Sequence, residues 1–207
     1  MERTAEEYRR VGIFEGAFSP IHNGHVKAAK AFMEQMRLDY LFVIPHLTCP
    51  EKNQGDLAPL LDRLKMCELA FEGVDGVIVS DLSKRMGGSH ETVDILRMLR
   101  ADDVRLFLLC GTDTIMSMDK RKNAEEIFGL CWPVYVRREQ DPLLDGQIIK
   151  KLKEYYDRFG KMVRKIQMEP VTVSSTSVRR AVREKSDLKN LVPDSVAAYI
   201  HDQHLYG

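Results

Sequence analysis

Apolar residues along this chain come in short unbroken runs separated by longer stretches with helical spacing. Residues 11–14 form the first run and read as a buried strand. Gly16 permits a sharp turn after it and Pro20 sets the next bend. Gly24 and His25 then open a helix whose apolar positions are Val26, Ala29, Phe32, Met33 and Met36. A second strand at 40–44 stops at Pro45, and a polar loop over 46–57 follows, carrying Pro50, Lys52 and Gly55. Leu60, Leu61, Leu64, Cys67, Leu69 and Phe71 return to helical spacing up to Gly73. Residues 77–79 are a third strand, 91–99 a helix with Val93, Leu96 and Leu99 on one face, and 104–110 a fourth strand running into Gly111-Thr112-Asp113. A helix near 123–128, a fifth strand at 133–136, a charged helix over 144–159 and a helix over 177–184 complete the pattern. The charged helix reads as a peripheral insertion.

The strands are apolar throughout and do not alternate, which is the pattern of a parallel sheet covered by helices on both faces. The predicted architecture is therefore an α/β doubly wound parallel sheet. It forms a single domain over 11–207 with a small C-terminal helical portion, and 1–10 is a polar lead-in. Ligands of such sheets bind outside the carboxyl ends of the strands.

Two stretches carry chemistry at such ends. In the first, strand 11–14, Gly16 and the helix opened by Gly24 make a strand–turn–helix unit. Free N–H groups at that helix N-terminus, with the helix dipole, favour an anion. His22 and His25 share the mouth and can donate hydrogen bonds to phosphate oxygens. The plainer reading makes one a capping and the other a surface histidine, and a zinc reading lacks a third ligand. The second stretch is Val173-Ser-Ser-Thr-Ser-Val-Arg179. Ser174, Ser175 or Thr176 can cap a helix there, and the same geometry offers amides, hydroxyls and Arg179 to a polyphosphate.

With these residues in place, Gly16-x-Phe18-x-Pro20-x-His22-x-Gly24-His25 and the downstream Ser-Ser-Thr-x-x-Arg179 together resemble the nucleotidyltransferase superfamily that moves NMP groups from nucleoside triphosphates. Pro193, Val196, Tyr199, Ile200, Leu205 and Tyr206 resemble the C-terminal tail of the bacterial nicotinate-nucleotide adenylyltransferases. The resemblance implies a Rossmann-like fold and transfer of AMP from ATP to nicotinate mononucleotide, giving the dinucleotide and pyrophosphate for NAD biosynthesis, with Mg²⁺ bound with ATP. It implies catalytic roles for His22, His25, Lys52 and Arg179. It places Gly16, Ala17, Phe18, His25, Gly111, Asp113, Ser175, Thr176 and Arg179 on ATP. Ser19, His90, Glu91, Thr92 and Arg137 fall on the acceptor, a pyridine mononucleotide.

The chain departs from that pattern at Glu15 and Ser19, at His90-Glu91 where the family has serine and tyrosine, and at Arg121 where it commonly has tryptophan. Glu91 is expected to repel an acidic ring and favour the neutral amide. Other readings are the same chemistry on another phosphorylated acceptor, or a nucleotide-binding module without catalysis.

Composition narrows this further. Lys plus Arg and Asp plus Glu are both 31 in 207 residues, so overall charge points to neither nucleic acid nor a membrane as partner. No apolar run spans a membrane, residues 1–7 do not read as a signal peptide, and a cytoplasmic location follows as the expectation. A homo-oligomer is compatible with the sequence. The absence of a Gly-x-x-x-x-Gly-Lys loop excludes P-loop chemistry. Cys49, Cys67, Cys110 and Cys131 are widely spaced and read as small apolar residues, with Cys49 in a loop that lines the site.

Overall fold

The computed structural model describes residues 8–48, 56–87, 91–137, 142–169 and 171–207. Lys52, His90 and Cys49 lie outside the described residues. The strands are β1 (Arg9–Gly16), β2 (Tyr40–Pro45), β3 (Val77–Val79), β4 (Val104–Gly111), β5 (Cys131–Val136) and β6 (Arg164–Ile166). They form one sheet in the order β3-β2-β1-β4-β5-β6, with every neighbouring pair parallel. The order reverses direction between β1 and β4, which places the ligand crevice above their carboxyl ends.

Alternate residues of the strands feed opposite faces, as a pleated backbone requires. Phe14, Phe107, Leu109 and Val134 enter one core, beneath α1 (Asn23–Met36), α2 (Leu60–Ala70), α8 (Ser175–Arg183) and α9 (Asp194–Asp202). Ile13, Leu106, Leu108 and Cys110 enter the other. That second face is covered by α4 (Thr92–Leu99), α5 (Thr112–Ser117), α6 (Ala124–Leu130) and α7 (Pro142–Phe159). A single turn, α3 (Leu82–Arg85), follows β3. Because both faces are buried, the strands read as unbroken apolar runs. Burial likewise pushes the thiols of Cys67, Cys110 and Cys131 up, which fits inert apolar packing.

The structure corrects the sequence reading at several elements. The helix over 144–159 is an integral crossover from β5 to β6, a strand that sequence reasoning missed. Its Ile148 and Tyr155 are buried in the second core, with Leu144, Leu152 and Phe159 packed beside them. Phe128 and Phe159 stack with ring centroids 4.2 Å apart. Charged residues between these positions mask a clean stripe of helical period. Arg9 and Arg10 belong to β1 and not to a loose lead-in. The Arg9 amide donates to the Asp103 carbonyl at 2.9 Å, and the Arg10 guanidinium donates through Nε to the Met36 carbonyl at 2.7 Å. Helix α8 starts at Ser175, two residues earlier than its apolar spacing suggests, because Ser174 caps it.

Candidate active site

The loop from β1 to α1 is shaped by close packing around one strained residue. Phe18 has φ of 44°, the left-handed region that a bulky side chain occupies at a cost of about 1–3 kcal/mol. Its ring compensates by packing edge-on against Phe14 and His25, each with centroids 5.1 Å away. A Cβ on Gly16 would stand 3.3 Å from that ring, so glycine admits Phe18.

His22 and His25 cap α1 reciprocally. The His25 amide donates to His22 Nδ1 at 3.4 Å, and the His22 amide donates to His25 Nδ1 at 3.3 Å. The rings stack with centroids 3.6 Å apart. With Nδ1 accepting in both rings, a neutral imidazole carries its proton on Nε2. The capping and phosphate-binding readings are thus compatible: the cap orients the donors. A Cβ on Gly24 would meet the His22 imidazole at 3.1 Å, which explains the glycine beside them.

The N-terminus of α8 meets this loop from the far end of the chain. Ser174 accepts from the Ser177 amide at 3.0 Å, Ser175 donates to the Pro20 carbonyl at 2.9 Å, and Arg179 donates to the Ser19 carbonyl at 2.8 Å. Arg179 is buried, and its Nη2 also lies 3.3 Å from the Thr176 hydroxyl. Asp56 binds both Arg179 and Arg183, at 3.3 and 2.7 Å. The hydrogen bond from Arg183, reinforced by Arg179, holds the Asp56 carboxyl below the usual range. Two helix N-termini and a cationic side chain therefore converge on one mouth, an arrangement suited to a polyphosphate.

Sequence reasoning missed Arg63, which braces this mouth, and placed Ser19, which braces it too, on the acceptor. Arg63 is buried on α2 and donates to the carbonyls of Ala17 at 2.9 Å, His46 at 2.6 Å and Ala58 at 2.8 Å, with Leu47 at 3.3 Å. The signal was present: Arg63 interrupts the apolar stripe of Leu60, Leu64 and Cys67. Ser19 is fully buried, and its hydroxyl contacts the Asp56 carbonyl, the Ala58 amide and the Tyr206 hydroxyl at 2.9 to 3.0 Å. Those contacts give Ser19 a structural function and tie the C-terminal tail to the loop. Burial pushes the Tyr206 phenol up to about 12, against the Ser19 hydrogen bond, so it stays protonated.

On the second-core side the mouth carries different chemistry. Glu15 is half-buried at the end of β1, with its side chain 11% exposed. Thr92 donates to one of its oxygens, Arg121 donates to the Thr92 hydroxyl at 2.7 Å, and His46 Nε2 lies 3.5 Å from the other oxygen. Burial alone would push the Glu15 carboxyl up. The hydrogen bond and charge of His46, the Thr92 hydrogen bond and the Arg121 charge outweigh it and hold the carboxyl below its ordinary value. Glu91 is exposed and its carboxylate accepts from Asn123 at 2.6 Å. Gly111 ends β4, and Asp113 is exposed in the first turn of α5. Arg137 follows β5 and pairs with Asp145 of α7.

Among the described residues no group of three or more His, Cys, Asp or Glu side chains could hold a metal ion. The one carboxylate described at the polyphosphate mouth, Asp56, is paired with Arg179 and Arg183, and a divalent ion there would be held mainly by substrate oxygens and water. Among the described residues no helix is long and apolar enough to cross a membrane.

Residues 13–181 match the family model described as cytidylyltransferase-like. The chain is 31% identical to the probable nicotinate-nucleotide adenylyltransferase of Desulfatibacillum aliphaticivorans, across 95% of this chain and 99% of that protein. It is 28% identical to the protein of the same name from Rhodopirellula baltica, across 99% and 97%. Among solved structures, the nicotinic acid mononucleotide adenylyltransferase of Plasmodium falciparum in complex with NaAD superposes with a TM-score of 0.77. At 17% identity, covering 96% of this chain and 98% of that one, it shows a common fold.

Proposed function

The chain belongs to the cytidylyltransferase-like family, among the nicotinate-nucleotide adenylyltransferases, and we propose that it moves AMP from ATP to nicotinate mononucleotide in the cytoplasm, forming the dinucleotide of NAD biosynthesis. The observation that carries the reading is the meeting of the α1 and α8 N-termini at Ser19 and Pro20, with two oriented imidazoles and Arg179 around them.

An oxygen of the acceptor's phosphate attacks the α-phosphorus of ATP in line. The bond from that phosphorus to the bridging oxygen breaks, and pyrophosphate leaves. No protein nucleophile takes part, so positioning and charge stabilisation supply the rate. The Nε2–H groups of His22 and His25 hold α-phosphate oxygens whose charge grows in the transition state. The α8 N-terminus, Ser175, Thr176 and Arg179 hold the β and γ phosphates that leave. Gly111 and Asp113, at the end of β4, receive the adenosine, and the wall near Thr92 and Arg137 takes the acceptor. Lys52 is assigned to the phosphates on resemblance alone. Mg²⁺, carried by ATP oxygens and water, supplies further neutralisation of the phosphate charge.

Pyrophosphate release with ATP, Mg²⁺ and nicotinate mononucleotide tests the reading. His25→Ala is expected to lower kcat by about 100-fold or more, the scale of losing one oriented donor at a developing charge. A folded His25→Ala protein turning over near the wild-type rate sinks the assignment.

A further inference from the structure

The crevice lies at the carboxyl ends of the strands, and the amino ends carry a different surface. Arg10, Arg105 and Trp132 are each the second residue of β1, β4 and β5, and Arg164 is the first of β6. Strand register sets Arg10 beside Arg105, Phe107 beside Trp132 and Val134 beside Arg164. Residues paired across a parallel sheet share a face, as do residues two apart along a strand. Phe107 and Val134 lie in the first core, so the three arginines and Trp132 stand on that face, across four adjacent strands. At about 4.8 Å per strand the row is roughly 15 Å wide, and the rise from Arg10 to Gly16 sets it about 20 Å from the crevice.

Two further cations join this row, Arg37 at the end of α1 and Lys161 before β6. Burial, then the charges of Arg105, Arg164 and Arg37, holds the Arg10 guanidinium below its ordinary value, against a pull from Asp39. Burial lowers the Lys161 ammonium as well, and Arg105 adds to it. Among the described residues none of the five cations makes an ion pair. Asp39 accepts from the Arg10 main-chain amide at 2.6 Å. The Arg10 guanidinium lies 4.5 Å from the Phe107 ring, that of Arg105 lies 4.8 Å from Tyr8, and the Lys161 ammonium lies 4.1 Å from Trp132. Ring faces thus hold the cations in place without cancelling their charge. Like charges side by side on neighbouring strands destabilise a sheet. An unneutralised cluster of this kind, in a chain whose total charge is zero, marks a surface shaped for an anion.

We propose that this surface binds a linear polyphosphate, a chain of linked phosphates without bases, lying across β1, β4, β5 and β6. The cations sit on neighbouring strands, so their spacing suits closely linked phosphates, and guanidinium forks match phosphate oxygens. The aromatic faces on which a nucleic-acid base would stack are taken by Arg105 and Lys161, which favours a ligand read by charge over one read by its bases. The proposal is independent of the adenylyl-transfer reading, whose site lies at the other end of the strands.

Trp132 is the single tryptophan of the chain, so its fluorescence reports on this surface directly. The test titrates the full chain with linear polyphosphate while saturating ATP fills the crevice. Trp132 emission should change saturably, and the affinity should fall about 100-fold between about 50 and 200 mM salt, the slope for about four neutralised phosphates. Arg105→Gln and Arg164→Gln should each weaken binding about 5-fold or more and flatten the salt slope by about one. Pyrophosphate release by both variants should stay within about 2-fold of wild type, because neither residue reaches the crevice. No emission change, a salt-independent affinity, or undiminished binding by both variants overturns the proposal. Equally tight binding of a single-stranded oligonucleotide or of polyglutamate also overturns it, by giving the surface to another partner. So does binding that appears only once residues 1–7, with Glu2, Glu6 and Glu7, are removed, since the chain's own acids would then be the occupant.

Discussion

Replacing Arg63 by methionine should damage the fold more than removal of an ordinary helix arginine. The side chain is 1% exposed and donates to main-chain carbonyls of three separate segments. Methionine fills a similar volume, so the change removes hydrogen bonds without opening a large cavity. Ala17 and Ala58 are themselves buried, and their carbonyls would lose their charged donor in a site closed to bulk water. His46 and Leu47 are half-buried, and water can replace part of what they lose. Each buried carbonyl left without a donor costs about 1–3 kcal/mol. Relief from burying a cation offsets part of the sum. A net loss of about 3–4 kcal/mol follows for Arg63→Met, and for a chain of this size each kcal/mol lowers Tm by roughly 2–4 °C.

The assay is thermal and urea unfolding of wild type and variant side by side. The expected result is a Tm lower by roughly 10 °C and a lower urea midpoint with an unchanged slope. Arg63→Lys should recover only part of this, because an ammonium group cannot reproduce the fork that reaches several carbonyls. A Tm within about 2 °C of wild type in Arg63→Met would mean that the carbonyls find water, and the bracing argument would fail.

Two further outcomes follow from the same geometry. Gly24→Ala drives a methyl group against the His22 imidazole 3.1 Å away, and should lower kcat about 10-fold; because alanine is the better helix former, Tm should hardly move, and an unchanged kcat would show that the ring yields freely. Glu15, held below its ordinary value, takes up protons in the unfolded chain before the folded one, so its contribution is full above the usual carboxyl range and disappears as pH falls through its lower folded value. Acid unfolding should therefore move to higher pH in Glu15→Gln only if the His46 and Thr92 contacts to the charge matter; identical acid curves for the two proteins would contradict that.

Much of the sheet was legible because burial on both faces leaves its mark on every residue of a strand. Residues 104–110 could be read without tertiary information, since Leu106, Leu108 and Cys110 feed one core while Phe107 and Leu109 feed the other. β6 escaped the same reading because only Ile166 of its three residues is buried, and Arg164 and Lys165 look like loop. α7 was legible as a helix but misplaced, since its apolar positions are diluted by lysine and glutamate that face solvent. Tyr155 settles its place, donating to the Ile115 carbonyl inside the second core.

The site divides along a similar physical line. His22, His25, Ser174 and Ser175 sit at helix starts, and a helix start is visible in sequence because capping demands particular residue types at particular spacings. Arg63 and Ser19 act through main-chain groups of distant segments, and the main chain is the same at every position, so no residue elsewhere announces the partnership. Glu15 was visible as an oddity but its meaning was not, since that depends on which neighbour reaches it. Read along the chain, Glu91 was the acid expected to govern the acceptor end. In the folded chain Asn123 draws Glu91 aside, and Arg121, thirty positions on by sequence subtraction, is joined through Thr92 to Glu15. Which charged groups stand at this wall is thus decided by side-chain pairing across α4 and the 3₁₀ turn, a step that residue type alone does not encode.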